Sequence, residues 1–122
     1  MNRIRTASEF SRTVRSGARS GRRNVVLYGS ITSGMDPSRF GFIVGKNVGN
    51  AVVRNLVKRR LREAAAIALT DNPQGLDIVV RALPASAAAG WLELSVDLDK
   101  GLNSVLRRLT ARNNAAMEGE DS

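Results

Sequence analysis

The residues with the clearest chemistry form a row of cations in the middle of the chain. The apolar periodicity predicts a helix over Asn50–Leu69, on which Arg54, Lys58 and Arg62 recur at every fourth position and share one face. Asn55 and Arg59 flank this row, and Asn50 precedes it. Cations on successive helical turns suit the phosphates of a nucleic acid, and amide side chains can donate to sugar or phosphate oxygens. The spacing therefore predicts a nucleic-acid-binding surface on this helix.

The alternative is an ordinary solvated helix face. Glu63 is the only acid between Asp36 and Asp71, so these cations have few acidic partners nearby in sequence. The whole chain has 19 basic and 11 acidic residues, a net charge of +8, and residues 1–62 hold 14 of the basic and only 2 of the acidic ones. A charge concentrated in this way favours a polyanionic partner over a solvated surface.

A second set of residues could contact bases. Thr6 and Glu9 form a capping-box pattern that predicts a short helix ending at Gly17, with Phe10 and Val14 on one face. The following strand-like segment, Asn24–Ile31, alternates so that Val26 and Tyr28 share a face. These four side chains could form a platform for an unpaired base, or they could pack as ordinary core.

The composition argues against a self-sufficient enzyme. The chain has no histidine and no cysteine, which excludes the commonest general base, thiolate metal sites and disulfides. Asp97 and Asp99 point to different sides of a predicted helix, and no other group of residues resembles a carboxylate metal site or an activated nucleophile. Without a signal-peptide core or a membrane-length apolar run, the chain is expected to be soluble and cytoplasmic.

The remaining patterns predict one domain over residues 1–115, followed by an acidic tail over 116–122 that is expected to be disordered. Two further strands are predicted over Arg39–Gly45 and Leu76–Ala82, which gives three in all. Ser16–Arg23 and Leu83–Gly90 are expected to be loops, and Ser95 is expected to cap the last helix.

Beyond these patterns, the run from Gly49 to Arg62, G-N-A-V-x-R-N-x-x-K-R-x-x-R, resembles the signature of the bacterial ribonuclease P protein component. The runs TASEF at Thr6–Phe10, VVLY at Val25–Tyr28 and DIVVRA at Asp77–Ala82 follow the order and spacing of that family. The resemblance implies a single α+β domain of order α-β-β-β-α-β-α with a left-handed β-α-β crossover. It also implies a fourth strand, expected near Val44–Asn47 or within Asn24–Thr32.

The resemblance implies a function as well. A large RNA subunit would carry out magnesium-dependent hydrolysis of one phosphodiester bond in precursor tRNA, and this chain would hold neither catalytic residues nor a metal. The implied contacts with the RNA subunit are Arg54, Asn55, Lys58, Arg59 and Arg62, and we assign Lys46 and Asn50 to the same RNA-binding surface. The single-stranded 5′ leader would lie in a cleft made by Phe10, Val14, Val26 and Tyr28.

Two departures from the family pattern affect these expectations. Leu56 stands where the family has arginine, and Arg60 lies one turn further on, at a position expected to be apolar. We hypothesise that the chain has exchanged an arginine and a leucine across one helical turn. Val14 occupies a position that can be aromatic in relatives, which predicts weaker stacking on the leader. A generic RNA-binding or ribosomal protein with no part in cleavage, and an independent nuclease, are the alternative functions.

Overall fold

The computed structural model describes residues 2–32 and 34–121, with side chains described as far as residue 115. Five strands form one mixed sheet in the order β1-β4-β5-β3-β2. In chain order, the elements are β1 (Asn2–Arg3), α1 (Ala7–Ser16), β2 (Ala18–Gly21), β3 (Val25–Ile31), β4 (Arg39–Ile43), α2 (Ala51–Ala68), β5 (Leu76–Ala82), a 3₁₀ helix (Pro84–Ala88) and α3 (Trp91–Asp121). The predicted α-β-β-β-α-β-α order is confirmed, with β1 added at the start.

The central strands separate two apolar clusters. Val25 and Leu27 of β3 face the larger cluster, which is made with α2 and α3, whereas Val26 and Tyr28 face a smaller cluster under α1. This alternation confirms the period-two prediction for β3. Strand β5 lies between β3 and β4 and is buried on both faces, which suits its continuous apolar run.

Helix α1 begins and ends where the sequence predicted. The Thr6 side chain accepts a hydrogen bond from the Glu9 amide at 3.2 Å, and the Glu9 carboxylate accepts from the Thr6 amide at 3.4 Å. This reciprocal capping box fixes the first turn, and the chain leaves the helix at Gly17. The face that carries Phe10 and Val14 packs against the smaller cluster, so α1 covers part of one side of the sheet.

Helix α2 also matches its predicted bounds, with Asn50 as N-cap and Leu69 as C-cap. Its buried residues are Val57, Leu61, Ala64 and Ala65. Helical periodicity places Ile67 on the apolar face of α2, but 57% of this residue is exposed, so it is not part of the core.

The connection from β4 through α2 to β5 joins neighbouring parallel strands and therefore has a defined hand. The Phe40 carbonyl accepts from the Ile4 amide and so points toward β1, while the Phe40 side chain lies in the α2 cluster. When β4 is viewed running upward with the Phe40 side chain toward the viewer, the carbonyl of this L-residue points to the right. Strand β1 therefore lies to the right of β4, and β5 lies to its left. In this view α2 lies in front of the sheet and the chain then enters β5 on the left, so the crossover is left-handed. This confirms the expected left-handed β-α-β crossover, which is the rare hand for such a connection.

The strand that the family resemblance implied was placed wrongly along the chain. It is β2, Ala18–Gly21, within the segment predicted to be a basic loop, and not a strand near Val44–Asn47 or a second one within Asn24–Thr32. Alanine, serine and glycine have low strand propensity, so the period-two signal was weak. Ala18 and Ser20 are nevertheless buried, and pairing with β3 stabilises the strand.

The last helix begins one turn earlier than predicted, at Trp91, so Ser95 is not its N-cap. Leu94 is fully buried and extends the apolar row of Leu98, Leu102, Val105 and Leu109 toward the N-terminus. Asp97 lies inside the helix, where its carboxylate accepts from the backbone and side-chain amides of Asn24 at 3.0 Å each. The expected loop Leu83–Gly90 contains the 3₁₀ helix.

The backbone of α3 continues to Asp121, through most of the segment predicted to be an acidic tail. The acidic side chains of that tail lie outside the described residues, and its predicted disorder stays a prediction. Among the described residues, no helix combines the length and apolarity needed to cross a membrane.

Candidate nucleic-acid interface

The predicted cation row lies on the solvent side of α2. Asn55 and Arg59 are exposed, whereas Arg54, Lys58 and Arg62 are half-buried with their stems against the protein. Lys46 is exposed in the connection from β4 to α2, and Asn50 at the N-cap accepts from the Val53 amide at 3.0 Å. Among the described residues, salt bridges involve only Arg22 and Arg39 as cations, so the row has no internal acidic partner.

Two of these arginines hold donors that lack a partner. The Nε atoms of Arg54 and Arg62 are buried and make no hydrogen bond with the described part of the protein. A buried donor left without a partner costs about 1–3 kcal/mol. Neither guanidinium group is therefore fully satisfied within the described part of the protein.

The two residues of the hypothesised arginine–leucine exchange have different environments. Arg60 is half-buried and donates from Nη1 to the carbonyl oxygen of Ala89 at 2.9 Å, which ties α2 to the end of the 3₁₀ helix. Arg60 is thus committed to an internal contact away from the Arg54–Lys58–Arg62 row. Leu56 is half-buried. The exchange remains a hypothesis about RNA affinity.

The four predicted leader-cleft residues come together on the opposite side of the sheet. Val26 and Tyr28 are buried at 6% and 8% exposure, and the half-buried Phe10 and Val14 of α1 pack against the same cluster. These residues form a small core, and Phe10 and Val14 leave its α1 side partly exposed. Their contact with a leader stays a prediction.

Gly41 allows α1 to lie this close to the sheet. A Cβ added to Gly41 would lie 2.5 Å from two ring carbons of Phe10 and 3.3 Å from Cβ of Ile4. Contacts under 3 Å are not tolerated, so the Phe10 ring occupies the space that any other residue at 41 would fill. The missing side chain at Gly41 thus permits the close approach of α1 to β4.

The cation row and the leader-cleft residues meet at the edge of β4. A cavity of about 170 Å³ is lined by residues from both, with Phe10 on one side and Lys58 and Arg62 on the other. Arg3 of β1 lines the same cavity, although its sequence context gave no signal for this position. A single-stranded segment that passes along this edge would contact an aromatic ring and several cations together.

An ionic cluster holds α1 in this position. Arg39 of β4 donates from Nε and Nη2 to the two carboxylate oxygens of Asp77 at 2.9 and 2.7 Å, and its Nη1 lies 3.2 Å from Glu9. The backbone amide of Arg5, then the Arg39 side chain and the Thr6 amide, hold the pKa of Glu9 below its ordinary value. The Asp77 carboxylate raises the pKa of Arg39. Charge pairing thus fixes the start of α1 to two strands of the sheet.

Sequence reasoning missed the residues of this cluster because their strands had not been paired. Arg39 and Asp77 are 38 positions apart, and only the parallel register of β4 and β5 places them side by side. Ile4, 5% exposed, was also missed because a single apolar residue among arginines shows no periodicity. Within residues 2–32 and 34–115, no three His, Cys, Asp or Glu side chains lie close enough together to hold a metal ion.

Comparison with known proteins identifies the family. The family model described as Ribonuclease P matches residues 1–106. The ribonuclease P protein component of Pseudarthrobacter chlorophenolicus is 63% identical over 111 residues, covering 91% of this chain and 82% of that protein. That of Kocuria rhizophila is 54% identical over 107 residues, covering 88% and 94% respectively.

Solved structures agree in fold. The ribonuclease P protein of Staphylococcus aureus superposes with a TM-score of 0.75 at 29% identity, covering 84% of this chain and 94% of that one. The protein from Thermotoga maritima superposes with a TM-score of 0.72 at 26% identity, covering 88% and 97%. On the extent of these matches and the shared architecture, the chain belongs to the ribonuclease P protein family and is a protein subunit of the ribonuclease P holoenzyme, an endoribonuclease that acts with an RNA subunit.

Proposed function

We propose that this chain binds the ribonuclease P RNA through the solvent face of α2 and holds the 5′ leader of precursor tRNA along α1 and the sheet. The contacts with the RNA subunit are assigned to Lys46, Asn50, Arg54, Asn55, Lys58, Arg59 and Arg62. The leader is assigned to the cleft of Phe10, Val14, Val26 and Tyr28. Endonucleolytic removal of the leader then gives the mature tRNA 5′ end.

The observation that carries this proposal is the set of unpartnered cations on α2. Arg54 and Arg62 keep buried Nε donors without hydrogen-bond partners, and Lys58 lies between them on the same row. Among the described residues, this row also has no acidic partner, which leaves its charge for the oxygens of a phosphate backbone.

The leader assignment is supported by the cavity at the edge of β4. Phe10 and the α2 cations Lys58 and Arg62 line this cavity together. One strand of RNA can therefore contact the RNA-binding face of α2 and then the leader cleft. Chemistry in this scheme belongs to the RNA subunit and its Mg²⁺ ions. The chain contributes positive charge and positions the leader, and we place the complex in the cytoplasm.

A first experiment measures binding of ribonuclease P RNA as a function of salt for the wild-type chain and for Lys58→Ala. Each lost phosphate contact lowers the slope of log affinity against log salt by about 0.7–0.9, so the variant is expected to show a slope smaller by about one. Lys100→Ala is the matched control, because Lys100 is an exposed cation on α3 and lies outside the row. Equal slopes for wild type and Lys58→Ala would remove Lys58 from the interface.

A further inference from the structure

The floor of the leader cleft carries two cations that the RNA-binding assignment does not include. Arg19 of β2 lies directly across the antiparallel pair from Tyr28, and Arg81 of β5 lies directly across from Val26. Paired residues of neighbouring strands project from the same face of a sheet. Arg19 and Arg81 therefore lie on the α1 side, on either side of Tyr28, together with the predicted leader contacts.

The Tyr28 ring is covered by Arg81. The guanidinium carbon of Arg81 lies 5.8 Å from the centre of the ring, which is a cation–π distance, and Tyr28 is only 8% exposed. An incoming base cannot lie on a ring that is already covered. It meets the exposed guanidinium of Arg81 first, and a guanidinium plane supported by an aromatic ring is itself a stacking surface for bases.

Neither arginine has another role within the fold. Both are exposed, and neither takes part in a salt bridge or a side-chain hydrogen bond within the part of the chain that the structure describes. By contrast, Arg39 on the same side is fully committed to Asp77 and Glu9. Arg19 and Arg81 thus keep their hydrogen-bond donors for a ligand, and the one contact described for them is that of Arg81 with the Tyr28 ring.

We propose that Arg81 and Arg19 hold one nucleotide of the single-stranded leader, with the base stacked on the Arg81 guanidinium over Tyr28 and the adjacent phosphate bound by Arg19. This inference rests on the proposed leader contact and assigns its residues. Val14 is small at a position that can be aromatic, and the guanidinium of Arg81 supplies a stacking plane that does not depend on α1.

The test uses the holoenzyme reconstituted from this chain and a ribonuclease P RNA. Affinity is measured for precursor tRNA with a long single-stranded leader and for the same tRNA with a leader of one nucleotide. Arg81→Ala is expected to weaken binding of the long-leader substrate by about 10-fold, the effect of losing one stacked base, and to leave the short-leader substrate unchanged. Arg81→Lys retains the charge but loses the planar guanidinium group. It is therefore expected to bind the long-leader substrate nearly as weakly as Arg81→Ala does.

Arg19→Ala is expected to lower the salt slope for the long leader by about 0.7, the value for one contact to a single strand. Lys100→Ala removes an equal charge from α3, on the opposite side of the sheet, and should change neither quantity. Full affinity in Arg81→Lys would overturn the stacking role, and an equal loss for both substrates would overturn the leader assignment.

Failure of the two proposals can be told apart. If the wild-type holoenzyme binds long-leader and short-leader substrates equally, the leader contact itself is wrong, and the assignment to Arg81 and Arg19 falls with it. If the wild type prefers the long leader and Arg81→Ala keeps that preference, the leader contact stands and the assignment to Arg81 is wrong.

Discussion

Gly41→Ala tests how α1 is held against the sheet. The added Cβ would lie 2.5 Å from two Phe10 ring carbons, whereas unstrained carbon contacts lie at about 3.5 Å or more, so the ring must retreat by about 1 Å. Overpacking of this size costs about 1–3 kcal/mol of unfolding free energy. For a chain of this length, that corresponds to a melting temperature lower by roughly 4 °C per kcal/mol.

The assay is thermal unfolding followed by circular dichroism, combined with a double-mutant cycle. Phe10→Leu removes the ring atoms that clash, so Gly41→Ala should be much less destabilising in the Phe10→Leu background than in the wild type. Gly21→Ala is the matched control, because no atom lies within 4 Å of its added Cβ, and a stabilisation of up to about 1 kcal/mol is expected. Additive effects of Gly41→Ala and Phe10→Leu would refute the proposed contact.

Two further predictions concern charge. Because the pKa of Glu9 is lowered in the folded protein, its charge stabilises the fold fully above pH 4.5, and this contribution disappears as the pH falls through the folded pKa. Glu9→Gln should therefore be less stable than wild type at neutral pH, and the difference in stability should close in acid. Urea unfolding at several pH values measures this difference. A gap independent of pH would show that the charge of Glu9 is not the source of the loss. Leu56→Arg should raise affinity for ribonuclease P RNA tenfold or more, measured by equilibrium binding, if the family arginine has been lost at this position; unchanged affinity would mean that the contact is not needed here.

Local signals in the sequence predicted the elements they determine. The capping box at Thr6 and Glu9, the helical periodicity of Asn50–Leu69 and the period-two pattern of β3 each depend on neighbouring residues, and all three are confirmed. What was missed depends on pairing. Strand β2 has poor intrinsic propensity and β1 has only two residues, so both exist because β3 and β4 present edges to them.

The candidate site shows the same division. The α2 row was visible because helical periodicity alone aligns Arg54, Lys58 and Arg62. Arg19 and Arg81 were not identified, because each is an isolated cation in its own strand. Only the registers of β2 with β3 and of β3 with β5 bring them to either side of Tyr28.

The most direct measurement is leader release from precursor tRNA at low magnesium, with purified chain and a ribonuclease P RNA present separately and together. The account predicts cleavage only when both are present, because the RNA supplies the chemistry and the chain supplies RNA and leader contacts. Cleavage by the chain alone would contradict the absence of catalytic residues and support an independent nuclease. Binding of both RNAs with no change in the cleavage rate would contradict the account and leave a generic RNA-binding protein.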